Sequence, residues 1–115
     1  MPYILMNYHG SLKDVLTLAH EAGHSMHSYL SHKHQPYVDS QYPIFVAEVA
    51  STFNEQLLLQ HLSQKAKTKQ EKIVLINEQI EGIRGTIFRQ TLFAEFEWQI
   101  HRWVEEGTPL TPKLL

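Results

Sequence analysis

The sequence predicts a mostly helical fold of three to four helices with a short N-terminal edge strand. Three observations carry that expectation. Apolar residues recur at helical spacing in three separate stretches. Pro36, Pro43, Gly107 and Pro109 punctuate those stretches at their ends. The one segment with strand character, residues 1–8, carries Tyr3, Ile4, Leu5 and Tyr8 and is broken by Gly10.

The elements follow in order. Ser11 is a candidate N-cap, with Asp14 as a weak capping-box partner. Apolar residues at 12, 15, 16, 18, 19, 22, 26 and 30 form a broad face, which gives a first helix over about residues 12–31. Pro36 disfavours helix at Gln35. Residues 32–43 read as a polar loop, and Pro43 suits the first turn of a second helix over about 44–64. That helix is apolar on most sides, so it is expected to be largely buried. Residues 63–72 are polar and basic and read as a connection. A stripe then runs from Ile73 through Ile76, Ile80, Ile83, Ile87, Leu92, Phe93, Phe96 and Ile100 to Trp103. Gly82 and Gly85 weaken its middle by about 1 kcal/mol each against Ala, so it is one bent helix or two. The aromatic stripe of Phe88, Phe93, Phe96, Trp98 and Trp103 is read as core. The ending, TPLTPKLL, follows a turn as though another helix should come, which suggests a fragment.

Composition narrows the function. The chain has 115 residues, 43% hydrophobic and 19% charged, with a formal net charge of -2. This is a globular composition, and no basic excess points to nucleic acid. No apolar run approaches the roughly 20 residues that a membrane helix needs, so no membrane partner is expected. The N-terminal residues lack the basic and small-residue features of a signal peptide. There are no cysteines, which rules out disulfides, zinc ribbons and thiol catalysis and fits a reducing compartment.

The chemistry concentrates in Leu18-Ala19-His20-Glu21-Ala22-Gly23-His24. Residues four apart on a helix are neighbours, so His20 and His24 can reach one metal ion. Glu21 lies about 100° further round, too far to join them easily but close enough to meet a water at the ion. That arrangement suits a hydrolytic zinc site with Glu21 as general base. The bland reading is a helix with two satisfied histidines. Gly23 weighs against it, because a mid-helix glycine suggests close approach by another segment.

A catalytic zinc takes a third protein ligand and keeps one position open. His27, His9, His61, Glu48 and Glu55 are the candidates. Three histidines along one straight helix at positions 20, 24 and 27 would spread over about 10 Å and could not share one ion. Glu48 is preferred. It is a lone carboxylate in FVAEVAS on the next helix, and burial there would call for a cation. Glu55, seven residues on, shares nearly the same face and could orient a ligand histidine, or lie at the surface. Tyr8, His9 and His27 could meet substrate or support the site. His32, His34, His61 and His101 are expected to face solvent.

TLAHEAGHSMHSYLS, FVAEVASTFNEQLL and FRQTLFAEFE, with the lead-in PYILMNYHGSLKDVLTLAHE, together resemble the oligoendopeptidase F branch of the thimet oligopeptidase family. The likeness covers nearly the whole chain. It implies a mostly helical, zincin-like catalytic core, with residues 1–115 forming the zinc-binding core of a larger metallopeptidase domain. It implies one Zn2+ per chain held by His20, His24 and Glu48, with Glu21 as general base. His27 matches a family histidine that supports the site. The activity implied is cleavage of short peptides in the cytoplasm. The lead-in corresponds to an edge strand beside the cleft, which gives Asn7 to Gly10 a part in holding substrate backbone by strand addition. Family members are several times longer. The groups that steady the tetrahedral intermediate come from a later segment with no counterpart here, so the isolated chain is expected to lack full activity. Its cut surfaces should expose apolar area and favour homo-oligomers. Two other readings stay open: a non-catalytic helical interaction module with a structural metal, and a helical core with no metal.

Overall fold

Asp14 gathers the backbone that begins the first helix. Its Oδ2 accepts from the N–H of Ser11 at 2.9 Å and of His9 at 3.1 Å, while Ser11 Oγ accepts from the Asp14 N–H at 3.2 Å. The expected weak capping box is therefore complete. Gly10 takes φ +84 just before it, the left-handed turn that lets the chain enter the helix. In the computed structural model, which describes residues 2–115, this helix is α1, Leu12–His34. The expected edge strand does not form. Residues 2–9 carry no regular structure, and Met1 lies outside the described residues. A strand needs a ladder partner, and no second strand stands among the described residues to supply one.

The chain divides into two compact units, Met1–Lys72 and Ile73–Leu115. In the first, α1 is followed by a short 3-10 turn at Tyr37–Asp39 and by α2, Ile44–Lys65. Ser40, 1% exposed, fastens the loop: its carbonyl accepts from Ser31 Oγ at 2.7 Å, and its Oγ donates to the Tyr37 carbonyl at 2.9 Å. Tyr42 Oη and Ser28 Oγ lie 2.7 Å apart, which ties the loop's end back to α1. α1 and α2 pack along each other.

Gly23 sits where they cross. A Cβ there would stand 2.7 Å from Ser51 Cα and 2.9 Å from the Ala50 carbonyl oxygen, closer than real side chains allow. The missing side chain permits the two backbones to touch, as the mid-helix glycine suggested. The buried apolar residues of these helices are Leu16 and Leu59. The rest of α2 corrects the expectation of a largely buried helix. Ile44, Phe45, Val49 and Phe53 are exposed. An apolar pattern on most sides reports what a helix can bury, and α1 covers one side only.

The second unit holds most of the third helical run. α3 spans Lys69–Ile83, five residues Arg84–Phe88 form a π-helical turn, and α4 spans Arg89–Glu105. The run is continuous, and its irregular turn follows Gly82 and contains Gly85, where propensity is weakest. The helix thus resolves the choice between one and two by inserting a wide turn. The connection before α3 is shorter than expected, since α2 continues to Lys65. At the far end the Thr108 N–H donates to the Trp103 carbonyl at 2.8 Å and the Gly107 N–H to Val104 at 3.0 Å, with Gly107 at φ +81. These bonds form a Schellman cap, which stops the helix where glycine was expected to stop it. Phe88, Phe93, Phe96 and Trp98 are exposed, and Trp103 is only partly covered, so the stripe expected as core is surface in this chain. Among the described residues no helix is long and apolar enough to cross a membrane.

Candidate metal centre

Two helical faces build the centre. His20 and His24 stand one turn apart on α1, their rings edge-to-face with centroids 4.7 Å apart. Their Nε2 atoms approach to 3.0 Å. From α2, Glu48 presents Oε2 at 3.3 Å from His20 Nε2 and Oε1 at 3.8 Å from His24 Nε2. One ligand atom from each of the three lies within 4.8 Å of the others. Donors bound about 2.0–2.1 Å from a tetrahedral zinc stand about 3.3–3.4 Å apart, so the observed separations bracket the spacing the ion requires.

Hydrogen bonding sharpens the fit. His20 Nδ1 lies 2.5 Å from Glu55 Oε1. A carboxylate at Nδ1 keeps a proton there and leaves Nε2 with its lone pair outward. That lone pair faces a carboxylate oxygen of Glu48, and two acceptors 3.3 Å apart repel unless positive charge lies between them. A proton on His24 Nε2 would satisfy one of the contacts. A divalent cation satisfies all of them.

Glu48 departs from expectation in one respect. Its side chain is 55% exposed, so burial does not force a cation on it. It leaves α2 in the helix's second turn, near the exposed Ile44, Phe45 and Val49, and what places it at the histidines is the helix crossing. Glu55, for which the sequence left both a surface and a supporting position open, lies against His20 with its side chain 29% exposed.

The other candidates fall elsewhere. His27 stacks on Tyr42, ring centroids 3.7 Å apart and planes within 12°, and its Nδ1 is buried without a partner. It is not grouped with the three convergent donors. Tyr8, His9 and Gly10 are exposed in the segment before α1, and the structure brings none of them into the donor group. His32, His34, His61 and His101 are expected at the surface, and all four are exposed there. Glu21 is half-buried on α1, one residue beyond His20.

Two α2 residues carry contacts that the sequence did not announce. Ser51 Oγ donates to Glu48 Oε2 at 2.9 Å, and Asn54 Nδ2 donates to the Ala19 carbonyl at 2.6 Å. Together with Glu48 and Glu55 they form a stripe at positions 48, 51, 54 and 55, the i, i+3, i+6, i+7 spacing of one helical face. Spacing from Glu48 is the only signal that could have marked them.

Known proteins share much of this sequence. The profile of peptidase family M3 matches residues 1–115. Oligopeptidase PepF of Bacillus subtilis (strain 168) is 54% identical over 114 residues, covering 99% of this chain. The chromosomal oligoendopeptidase F of Lactococcus lactis subsp. cremoris is 46% identical over 113 residues, covering 98% of it. A crystallised protein from Chlamydophila abortus, described as a peptidase, superposes with a TM-score of 0.81 at 54% identity over 95% of the chain. The chain spans 17%, 19% and 18% of the length of those three proteins.

Proposed function

The chain belongs to peptidase family M3, and from that premise we propose that it carries the zinc-binding core of an oligoendopeptidase. The observation that carries the reading is the convergence of His20 Nε2, His24 Nε2 and the Glu48 carboxylate at 3.0, 3.3 and 3.8 Å. His20, His24 and Glu48 would hold one ion per chain, with a fourth position open to water and substrate. Bound zinc supplies a Lewis acid that lowers the pKa of water to about 7 and polarises a peptide carbonyl.

The chain's own residues have separate tasks in this proposal. Glu21 accepts the proton of the attacking water on its carboxylate and delivers it to the leaving amine. Glu55 holds the His20 ring in orientation through Nδ1. His27, stacked on Tyr42, steadies the α1 turn after His24. The backbone of residues 7–10, with the Tyr8 and His9 side chains exposed, is offered to substrate by strand addition. Short peptides are the substrate class, on the strength of the relatives' names, and the cytoplasm is the proposed compartment. The exposed apolar surface favours self-association of the isolated chain.

The test is metal content per chain by elemental mass spectrometry on untagged protein, followed by cleavage of a quenched fluorescent oligopeptide. About one zinc per chain is expected. Absence of metal after zinc is added back overturns the reading. Loss of cleavage in Glu21→Gln with zinc retained supports the base assignment, and an unchanged rate removes it.

A further inference from the structure

We propose that Ser51 is a positioning residue for the metal centre, fixing how the Glu48 carboxylate divides between the two histidines. The inference rests on the zinc reading above and adds a residue to it.

Glu48 is a long side chain, 55% exposed, that would otherwise sample several rotamers in water. Ser51 is 0% exposed and cannot move with it. Its Cα is pinned against Gly23 at the helix crossing, where a methyl added to the glycine would meet it at 2.7 Å. Its Oγ is held in turn, reaching the Glu48 carbonyl at 3.1 Å and the Glu48 Oε2 at 2.9 Å. The ionised carboxylate is the stronger acceptor of the two. With Oε2 anchored by the hydroxyl, that oxygen faces His20 Nε2 at 3.3 Å and Oε1 is turned toward His24 Nε2 at 3.8 Å. The rigid helix crossing is thereby passed on to a flexible ligand through one hydroxyl. Residues that orient metal ligands in this way typically change metal affinity by about 10–100-fold when removed.

The test compares wild type, Ser51→Ala, Glu48→Ala and the double variant. Zinc affinity is measured by competition with a chromophoric chelator, with the cobalt(II) absorption spectrum and the metal-free thermal midpoint recorded alongside. Ser51→Ala is expected to weaken zinc binding about 10–100-fold, shift the cobalt d–d bands and leave the metal-free midpoint near wild type. In the Glu48→Ala background the same substitution is expected to change affinity no further. Equal losses in both backgrounds, or a Ser51→Ala chain that loses its helices by circular dichroism, place Ser51 in the packing and overturn the proposal. Unchanged zinc affinity in Ser51→Ala overturns it while the zinc reading stands. A wild-type chain that takes no zinc overturns both, so the two failures read differently.

Discussion

His20 Nδ1 and Glu55 Oε1, thirty-five residues apart in sequence, meet at 2.5 Å across the α1–α2 crossing. The contact sets which imidazole nitrogen is free. A carboxylate at Nδ1 commits Nε2 to the cluster, and Nε2 is the atom closest to both His24 and Glu48.

Glu55→Ala is therefore expected to weaken zinc binding by about 10–100-fold. Glu48→Ala should cost more, since it removes a donor rather than its support. Chelator competition gives the order directly, and a larger loss in Glu55→Ala than in Glu48→Ala would exchange their roles.

Gly23→Ala sets two effects against each other. Alanine favours helix over glycine by about 1 kcal/mol. The added Cβ, however, would meet backbone atoms of Ser51 and Ala50 at 2.7 and 2.9 Å, and neither can rotate away. Overpacking of this kind costs about 1–3 kcal/mol. The expected result is a lower thermal midpoint together with weaker zinc binding, because the helices that carry the donors must separate.

Zinc should stabilise the chain by mass action. At one hundred times Kd the gain is about 2.7 kcal/mol, read as a higher thermal midpoint that a chelator reverses. In His20→Ala or His24→Ala the zinc-dependent increment should vanish while the metal-free midpoint changes little.

Acid should loosen the start of α1. The backbone N–H of Ser11, then its hydroxyl, hold the Asp14 carboxyl below its usual 3.8. A depressed carboxyl pKa stabilises the folded state above the unfolded value, and that contribution is lost as pH falls from about 3.8 through the lower folded value. Protection of the His9 and Ser11 amides, taken relative to the intrinsic exchange rate at each pH, should fall as pH drops through that window in wild type and be low at every pH in Asp14→Ala.

The parts of the site that a helix imposes by itself were legible in the sequence. His20 and His24 meet because residues four apart share a face. Gly23 marked a close approach because glycine is costly there without one. Glu48 was found for a partly wrong reason: it was expected to be buried, yet it is more than half exposed, and the crossing is what brings it to the histidines. Ser51 carried no sequence signal beyond its spacing from Glu48, since its effect lies in one hydrogen bond to a residue of its own helix. The exposure of Phe45, Phe53, Phe96 and Trp98 was missed because an apolar pattern states a capacity for burial and says nothing of whether a neighbour is present. The edge strand failed for the same reason, in terms of hydrogen bonds rather than area.

The stripe at positions 48, 51, 54 and 55 confines everything α2 gives the centre to two turns of one helix, and His20 and His24 occupy a single turn of the other. Its geometry therefore depends on the register of two short helical stretches held together at Gly23. Within this stripe and the His20–His24 turn even a one-residue insertion would scatter the donors onto different faces.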